Sequence, residues 1–201
     1  MALKFGVLPF IRFFTIMSPL LISSFALLQS AFNQDIKGVI FLLGAAIIMF
    51  LGKWTASLFP NRVPAGFDDA CNIFETGDQG WGTTYSSPGP HQLFLWYAAT
   101  YICTGMFVNG PTNWTLFGVF ITLIIASGTI RYWQLKCVNV IDIVLGTVGG
   151  ATWGLLWYFI ISSTENSYDP QLDLTYFNSY TNNPKCTIGS RAFRCKKLKR
   201  T

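Results

Sequence analysis

Charge is what this sequence has least of. Only 11% of its 201 residues are charged, whereas 51% are hydrophobic and the mean hydropathy is +0.41. A soluble domain carries about 25% charged residues. The composition therefore excludes an ordinary soluble domain and predicts an integral, multi-pass membrane protein whose length suits one compact unit. Nothing in the composition indicates which membrane holds it.

Histidine is nearly absent as well, and the cysteines are scattered. The chain has one His and five Cys, with no CxxC pair. We therefore expect no metal site and no cofactor. The net charge of +5 comes from basic residues at the ends of apolar segments and in the C-terminal tail. No basic stripe with interleaved aromatic residues appears, so no nucleic-acid partner is expected.

Long hydrophobic runs dominate what remains. A membrane-spanning helix needs about 20 apolar residues, and five runs approach or exceed that length. They cover residues 5–32, 36–58, 90–108, 114–130 and 138–161. The expected fold class is an all-α, polytopic bundle of about five transmembrane helices. It would occupy residues 1–162, followed by a polar tail, 163–201, that is basic at its C-terminal end.

Counting five crossings groups the polar residues by side. We call side A the side that holds the 59–89 loop, and side B the opposite one. Five ionisable residues lie on side A near the ends of the spans: Lys53, Arg62, His91, Arg131 and Asp142. Lys and Arg there are suited to a phosphate or carboxylate ligand, although the same residues also anchor helix ends at membrane surfaces.

The order of these residues resembles the type 2 phosphatidic acid phosphatase family, the membrane relatives of vanadium haloperoxidases. That family carries Lys, six residues, then Arg-Pro; next Pro-Ser-Gly-His; and last Ser-Arg, five residues, His, three residues, Asp. Here the matching positions are Lys53 and Arg62, Pro-Gly-Pro-His ending at His91, and Arg131 followed by Asp142. The resemblance covers about residues 53–150, which would form a phosphatidic-acid-phosphatase-like core.

The resemblance implies a role for each residue. Lys53, Arg62 and Arg131 would bind phosphate and stabilise charge in the transition state. His91 would act as the general acid for the leaving oxygen. Asp142 would be the carboxylate that orients the nucleophile, which in the family is a histidine that forms a phosphohistidine.

The chain departs from the family pattern at the nucleophile. Cys137 stands six residues after Arg131, where the histidine belongs, and the chain has no second histidine to replace it. One extra residue separates Cys137 from Asp142, and two extra residues separate Lys53 from Arg62. Cys137 is kept as a candidate catalytic residue, because a cysteine thiolate is itself a nucleophile.

Three functions remain open at this point. The first is a catalytically silent relative that serves as a structural or binding subunit of an organelle or virion membrane assembly. Its partners would be the lipid bilayer, a phospholipid headgroup or phosphate, and other protein subunits that contact the 59–89 loop and the 163–201 tail. The second is an active but divergent lipid phosphatase or phosphotransferase. The third is an unrelated small membrane protein.

Overall fold

Five long helices form the body of the molecule. The computed structural model describes residues 7–56, 58, 87–109, 112–168, 174–177, 185–188 and 193–196. The elements are α1 (Val7–Asn33), α2 (Lys37–Ala56), α3 (Pro90–Asn109), α4 (Trp114–Thr129), a π-helical turn (Ile130–Gln134), α5 (Val140–Tyr168), β1 (Lys185–Ile188) and β2 (Phe193–Lys196). The predicted helical bundle is confirmed, and each of the five predicted segments begins within two residues of the start of a helix.

Four of the helical segments are long and apolar enough to cross a membrane. They are Pro9–Asn33, Lys37–Ala56, Trp114–Gln134 and Val140–Thr164. Large apolar side chains are exposed along them, among them Phe25 at 68% and Phe50 at 72%. Such faces are expected to meet lipid rather than water. The prediction of a multi-pass membrane protein is confirmed at this level, while a fifth crossing stays a prediction.

Helix α3 is the remaining long helix, and it lies in the centre of the bundle. It contacts α1, α2, α4 and α5. Leu95, Tyr97, Ala98 and Met106 on α3 are fully buried. Because protein rather than lipid surrounds this helix, it can carry polar side chains that a lipid-facing helix would not tolerate. Its central position explains why α3 is less apolar than its neighbours.

The most extensive helix pair, α3 with α5, is built on glycine. A ridge of small residues on α5 faces α3, at Gly146, Gly149, Gly150 and Gly154. A Cβ atom at Gly146 would lie 2.8 Å from the carbonyl oxygen of Gly89, and one at Gly154 would lie 2.8 Å from that of Tyr97. Small residues of this kind let two membrane helices approach closely.

Aromatic side chains join α2 to the α3–α5 pair. The Tyr97 hydroxyl donates to the carbonyl oxygen of Phe41 at 2.7 Å. The indole N–H of Trp153 donates to the Gly44 carbonyl oxygen at 2.9 Å, and that of Trp157 reaches the same helix. These bonds satisfy polar groups inside the apolar bundle, and buried Tyr and Trp usually need such partners.

Helix α1 continues through its proline. Pro19 has no N–H to offer the carbonyl of Thr15. The Ser18 hydroxyl donates to that carbonyl oxygen instead, at 2.8 Å. Pro19 therefore replaces only one hydrogen bond locally, and the helix is unbroken from Val7 to Asn33.

Polar side chains order two turns on side B. Lys37 N–H, at the start of α2, donates to the Asp35 carboxylate at 3.2 Å, and the Ser30 hydroxyl donates to the same oxygen at 2.8 Å. Asn113 caps α4 by accepting from the Leu116 N–H at 3.1 Å. Asp35 therefore caps the start of α2.

The C-terminal region has more structure than its composition suggests. Helix α5 continues six residues past the predicted boundary at 162. Leu174 and Thr175 are buried, and the neighbouring Tyr176 and Phe177 pack against the main core. Strands β1 and β2 form an antiparallel hairpin whose register places Cys186 opposite Cys195. The sequence did not predict this hairpin. Most of the 59–89 loop lies outside the described residues.

Candidate functional site at the side-A end of the bundle

Four buried polar residues lie at the end of the bundle where α3 begins, α4 ends and α5 begins. Asp142 and Ser87 are fully buried, Arg131 is 3% exposed and His91 is 7% exposed. The positive charge of Arg131 is close enough to act on the His91 imidazole. The structure thus brings three of the predicted site residues, His91, Arg131 and Asp142, to one end of the bundle.

Arg131 lies on the π-helical turn that ends α4. The Leu135 N–H donates to the Ile130 carbonyl oxygen at 3.0 Å, and the Cys137 N–H donates to the Arg131 carbonyl oxygen at 2.9 Å. Lys136 between them has φ of 53°, in the left-handed region. Single π-helical turns often occur at functional sites. Here the turn ends α4 with Arg131 in the protein interior.

Asp142 holds the start of α5 against the start of α3. One carboxylate oxygen accepts the Asn139 N–H at 2.6 Å, and the other accepts the hydroxyl of Ser87. The Gly89 N–H donates to the backbone carbonyl of Asp142 at 3.0 Å. The bond to Asn139 is the back-bond of a capping box, and a carboxylate at a helix N-terminus is favoured by the helix dipole. Both carboxylate oxygens are therefore engaged within the protein.

His91 joins α3 to α1. Its Nε2 lies 3.1 Å from the carbonyl oxygen of Ile16. Because a carbonyl only accepts, this contact requires the proton to be on Nε2. The Nε2–H group of His91 is therefore hydrogen-bonded to the backbone of α1.

Cys137 is disulfide-bonded. It is 3% exposed and packs in a small apolar cluster with Ile16, Ile130, Leu135 and Val138. The reactive form of cysteine is the thiolate. A sulfur held in a disulfide has no thiolate to offer, so in this state the residue at the nucleophile position cannot attack phosphorus.

Of the two remaining phosphate-binding candidates, only Lys53 lies in the described part of the chain, and it is not joined to this cluster. Lys53, near the end of α2, is exposed. Among the described residues, no hydrogen bond or ion pair involves its side chain. Arg62 lies outside the described residues, so its predicted role remains a prediction.

The sequence reasoning missed three groups that hold the cluster together. They are the Ser87 hydroxyl, the Asn139 N–H and the Ile16 carbonyl. Asn139 could have been found, because Asn followed three residues later by an acidic residue is close to a capping-box pattern. The contacts of Ser87 and Ile16 join distant parts of the chain and leave no local signal.

Comparisons with known proteins add no relative. No protein-family model matches the chain, and neither the curated proteins nor the solved structures include a match. Among the described residues, no group of three or more His, Cys, Asp or Glu side chains could hold a metal ion.

Proposed function

We propose that this protein is a catalytically silent relative of the type 2 phosphatidic acid phosphatases that serves as a structural or binding subunit of a membrane assembly. The observation that carries the proposal is the disulfide at Cys137. In the resembled family this position supplies the nucleophile. A bonded sulfur removes the only candidate for that role, since the chain's one histidine corresponds to the general acid.

The other residues at the site support a structural role. A carboxylate that orients a nucleophile needs an oxygen directed at it. Asp142 instead directs its two oxygens at Ser87 and Asn139. A general acid needs its proton within reach of the substrate, and His91 Nε2 faces the backbone of Ile16. His91 and Asp142, whose order in the chain resembles that of a phosphatase site, thus link α1, α3 and α5.

The silent protein would act through its surfaces. Exposed apolar faces on the four spanning segments contact the bilayer. Lys53 lies exposed near the side-A end of α2, where an ammonium can bind a phospholipid headgroup or phosphate. The 59–89 loop and the 163–201 tail are the proposed contacts for other protein subunits.

One observation favours the alternative of an active but divergent lipid phosphatase. Arg131 and His91 are both buried, and their side chains interact electrostatically. A cation beside a histidine is the arrangement that phosphate binding with proton transfer requires. The alternative would need a nucleophile other than a bonded Cys137.

Phosphate release from lipid separates the two functions. The full chain would be placed in nanodiscs containing phosphatidic acid or a diphosphate lipid, beside an active lipid phosphatase as positive control. We expect release no faster than from protein-free nanodiscs, for wild type and for Cys137→Ser. Turnover that His91→Ala abolishes would overturn the silent assignment and establish the alternative.

Headgroup binding is measured separately, by native mass spectrometry of the protein released from nanodiscs of mixed phosphatidic acid and phosphatidylcholine. We expect phosphatidic acid to be enriched and Lys53→Gln to reduce that enrichment. Lys136→Gln is the matched control, because Lys136 is also exposed at side A but lies outside the family pattern. If both variants lose the same enrichment of phosphatidic acid, the enrichment comes from general surface charge and not from a site at Lys53.

A further inference from the structure

A second site lies toward side B, away from the residues discussed above. An apolar cavity of about 450 Å³ is lined mainly by residues of α1 and α4. Phe41 of α2 and Ile102 of α3 also line it, and Tyr176 and Phe177 of the C-terminal region complete its wall. A volume of this size is typical of ligand pockets. The cavity does not depend on the phosphatase resemblance, whose residues lie on side A.

The lining is apolar along its length and polar at one end. From α1 it includes Leu21, Ile22, Phe25 and Ala26, and from α4 Leu116, Val119, Phe120 and Leu123. The polar lining residues are Gln29, one turn before the end of α1, and Tyr176. Asp35, in the turn that follows α1, acts electrostatically on Tyr176, which locates this polar end near the side-B boundary.

The Tyr176 hydroxyl is buried and has no hydrogen-bond partner among the described residues. A buried hydroxyl without a partner costs about 1–3 kcal/mol. The buried hydroxyl of Tyr97, by contrast, donates a hydrogen bond to the Phe41 carbonyl oxygen. At the polar end of the cavity, the Tyr176 hydroxyl can therefore hydrogen-bond to a ligand.

The cavity borders the lipid. Its rim residues Leu21, Phe25 and Val119 are 44%, 68% and 49% exposed, and they belong to two membrane-spanning segments. The lining from Leu21 to Gln29 extends about 12 Å along α1 at 1.5 Å per residue. One leaflet of hydrocarbon is about 15 Å deep, half of the roughly 30 Å core. The lining along α1 therefore extends over most of the depth of one leaflet.

We propose that this cavity holds one acyl chain of a bilayer phospholipid, with the headgroup at side B beside Gln29 and Tyr176. Water would find few hydrogen-bond partners in an apolar cavity of this kind. The acyl chains of the bilayer, in contrast, are apolar and lie at its rim. The chain fills the gap between α1 and α4, and the lipid is a structural part of the bundle. The turn at 174–177 lies over it.

Photo-crosslinking tests the proposal. The full chain would be reconstituted in phosphatidylcholine nanodiscs with a small fraction of phosphatidylcholine that carries a diazirine in its acyl chain. We expect crosslinks to concentrate on residues 21–29 and 116–123 relative to the exposed face of α5. A headgroup diazirine should label the side-B ends of α1 and α4. Crosslinks spread evenly over all lipid-facing helices would overturn the site.

A pair of matched variants controls for folding. Val119→Trp places an indole at the cavity rim, and Val148→Trp places one on α5, where Val148 is 59% exposed and does not line the cavity. We expect Val119→Trp to reduce cavity crosslinking severalfold while Val148→Trp leaves it unchanged. Equal crosslinking in both variants with unchanged helicity would show that no lipid enters. If Val119→Trp loses helicity, the same measurement is made on Leu123→Phe, which adds less volume to the cavity.

Discussion

The hydroxyl of Ser87 donates a hydrogen bond to the carboxylate of Asp142, 55 residues later in the chain. Both side chains are fully buried. This contact joins the entry of α3 to the first turn of α5, the two helices with the most extensive packing. Asp142, which sequence order placed among the candidate catalytic residues, thus also links the starts of these two helices.

Ser87→Ala is expected to destabilise the bundle. The change leaves the buried carboxylate of Asp142 with one partner fewer, which costs about 1–3 kcal/mol. The free energy of unfolding would be measured by titration with a denaturing detergent. Ser163→Ala is the control, since Ser163 is exposed near the end of α5. Equal stability of the two variants would mean that the contact contributes nothing.

Cys137 is expected to resist alkylation until the protein is reduced. A disulfide sulfur does not react with iodoacetamide, whereas a free thiol does once denaturation exposes it. Cys103 is the internal control, because it is buried and free. Peptide mass mapping after denaturation without reductant should find Cys103 modified and Cys137 unmodified. Alkylated Cys137 in that sample would remove the main support for the silent assignment.

Two glycine substitutions should have opposite effects. A Cβ atom at Gly150 would collide with the backbone carbonyl of Leu93, while one at Gly118 would meet nothing within 4 Å. Gly150→Ala should therefore separate α5 from α3 and lower thermal stability. Gly118→Ala should be neutral or gain up to about 1 kcal/mol, because Ala favours helix more than Gly. Similar melting temperatures would show that the glycine ridge does not set the helix spacing.

The protein is expected to lose stability in alkali because of Tyr176. Burial, with a smaller effect from the Asp35 carboxylate, raises the pKa of the Tyr176 phenol to about 12 from an ordinary 10.0. The folded state therefore holds the proton more tightly than the unfolded state. This contribution to stability is complete below pH 10 and is lost as the pH rises from 10 toward 12.

The variant Tyr176→Phe isolates that contribution, because it cannot titrate and removes a buried hydroxyl without a partner. Near neutral pH we expect it to be as stable as wild type or more so. Between pH 10 and 12 its melting temperature should fall less steeply than that of wild type. Parallel curves would show that the phenol ionises equally in both states.

The helices could be predicted from the sequence because their signals are local. The apolar run of α2 and the Asn113 cap of α4 act within a few residues of where they stand. The start of α3 was predicted at Pro90 and lies there. Prediction was poorer where tertiary contacts extend or bend an element, as at the end of α5 and in the turn that buries Leu174 and Thr175.

By itself, the sequence determined that this is a helical membrane protein with its chemically versatile residues at helix ends, since hydropathy and spacing are properties of neighbouring residues. Only the tertiary structure decided what those residues contact. His91 bonds to a carbonyl 75 residues away, Asp142 to a serine 55 residues away, and Cys137 is in a disulfide. Such contacts form when packed helices bring distant segments together, and a single sequence carries no local record of that packing.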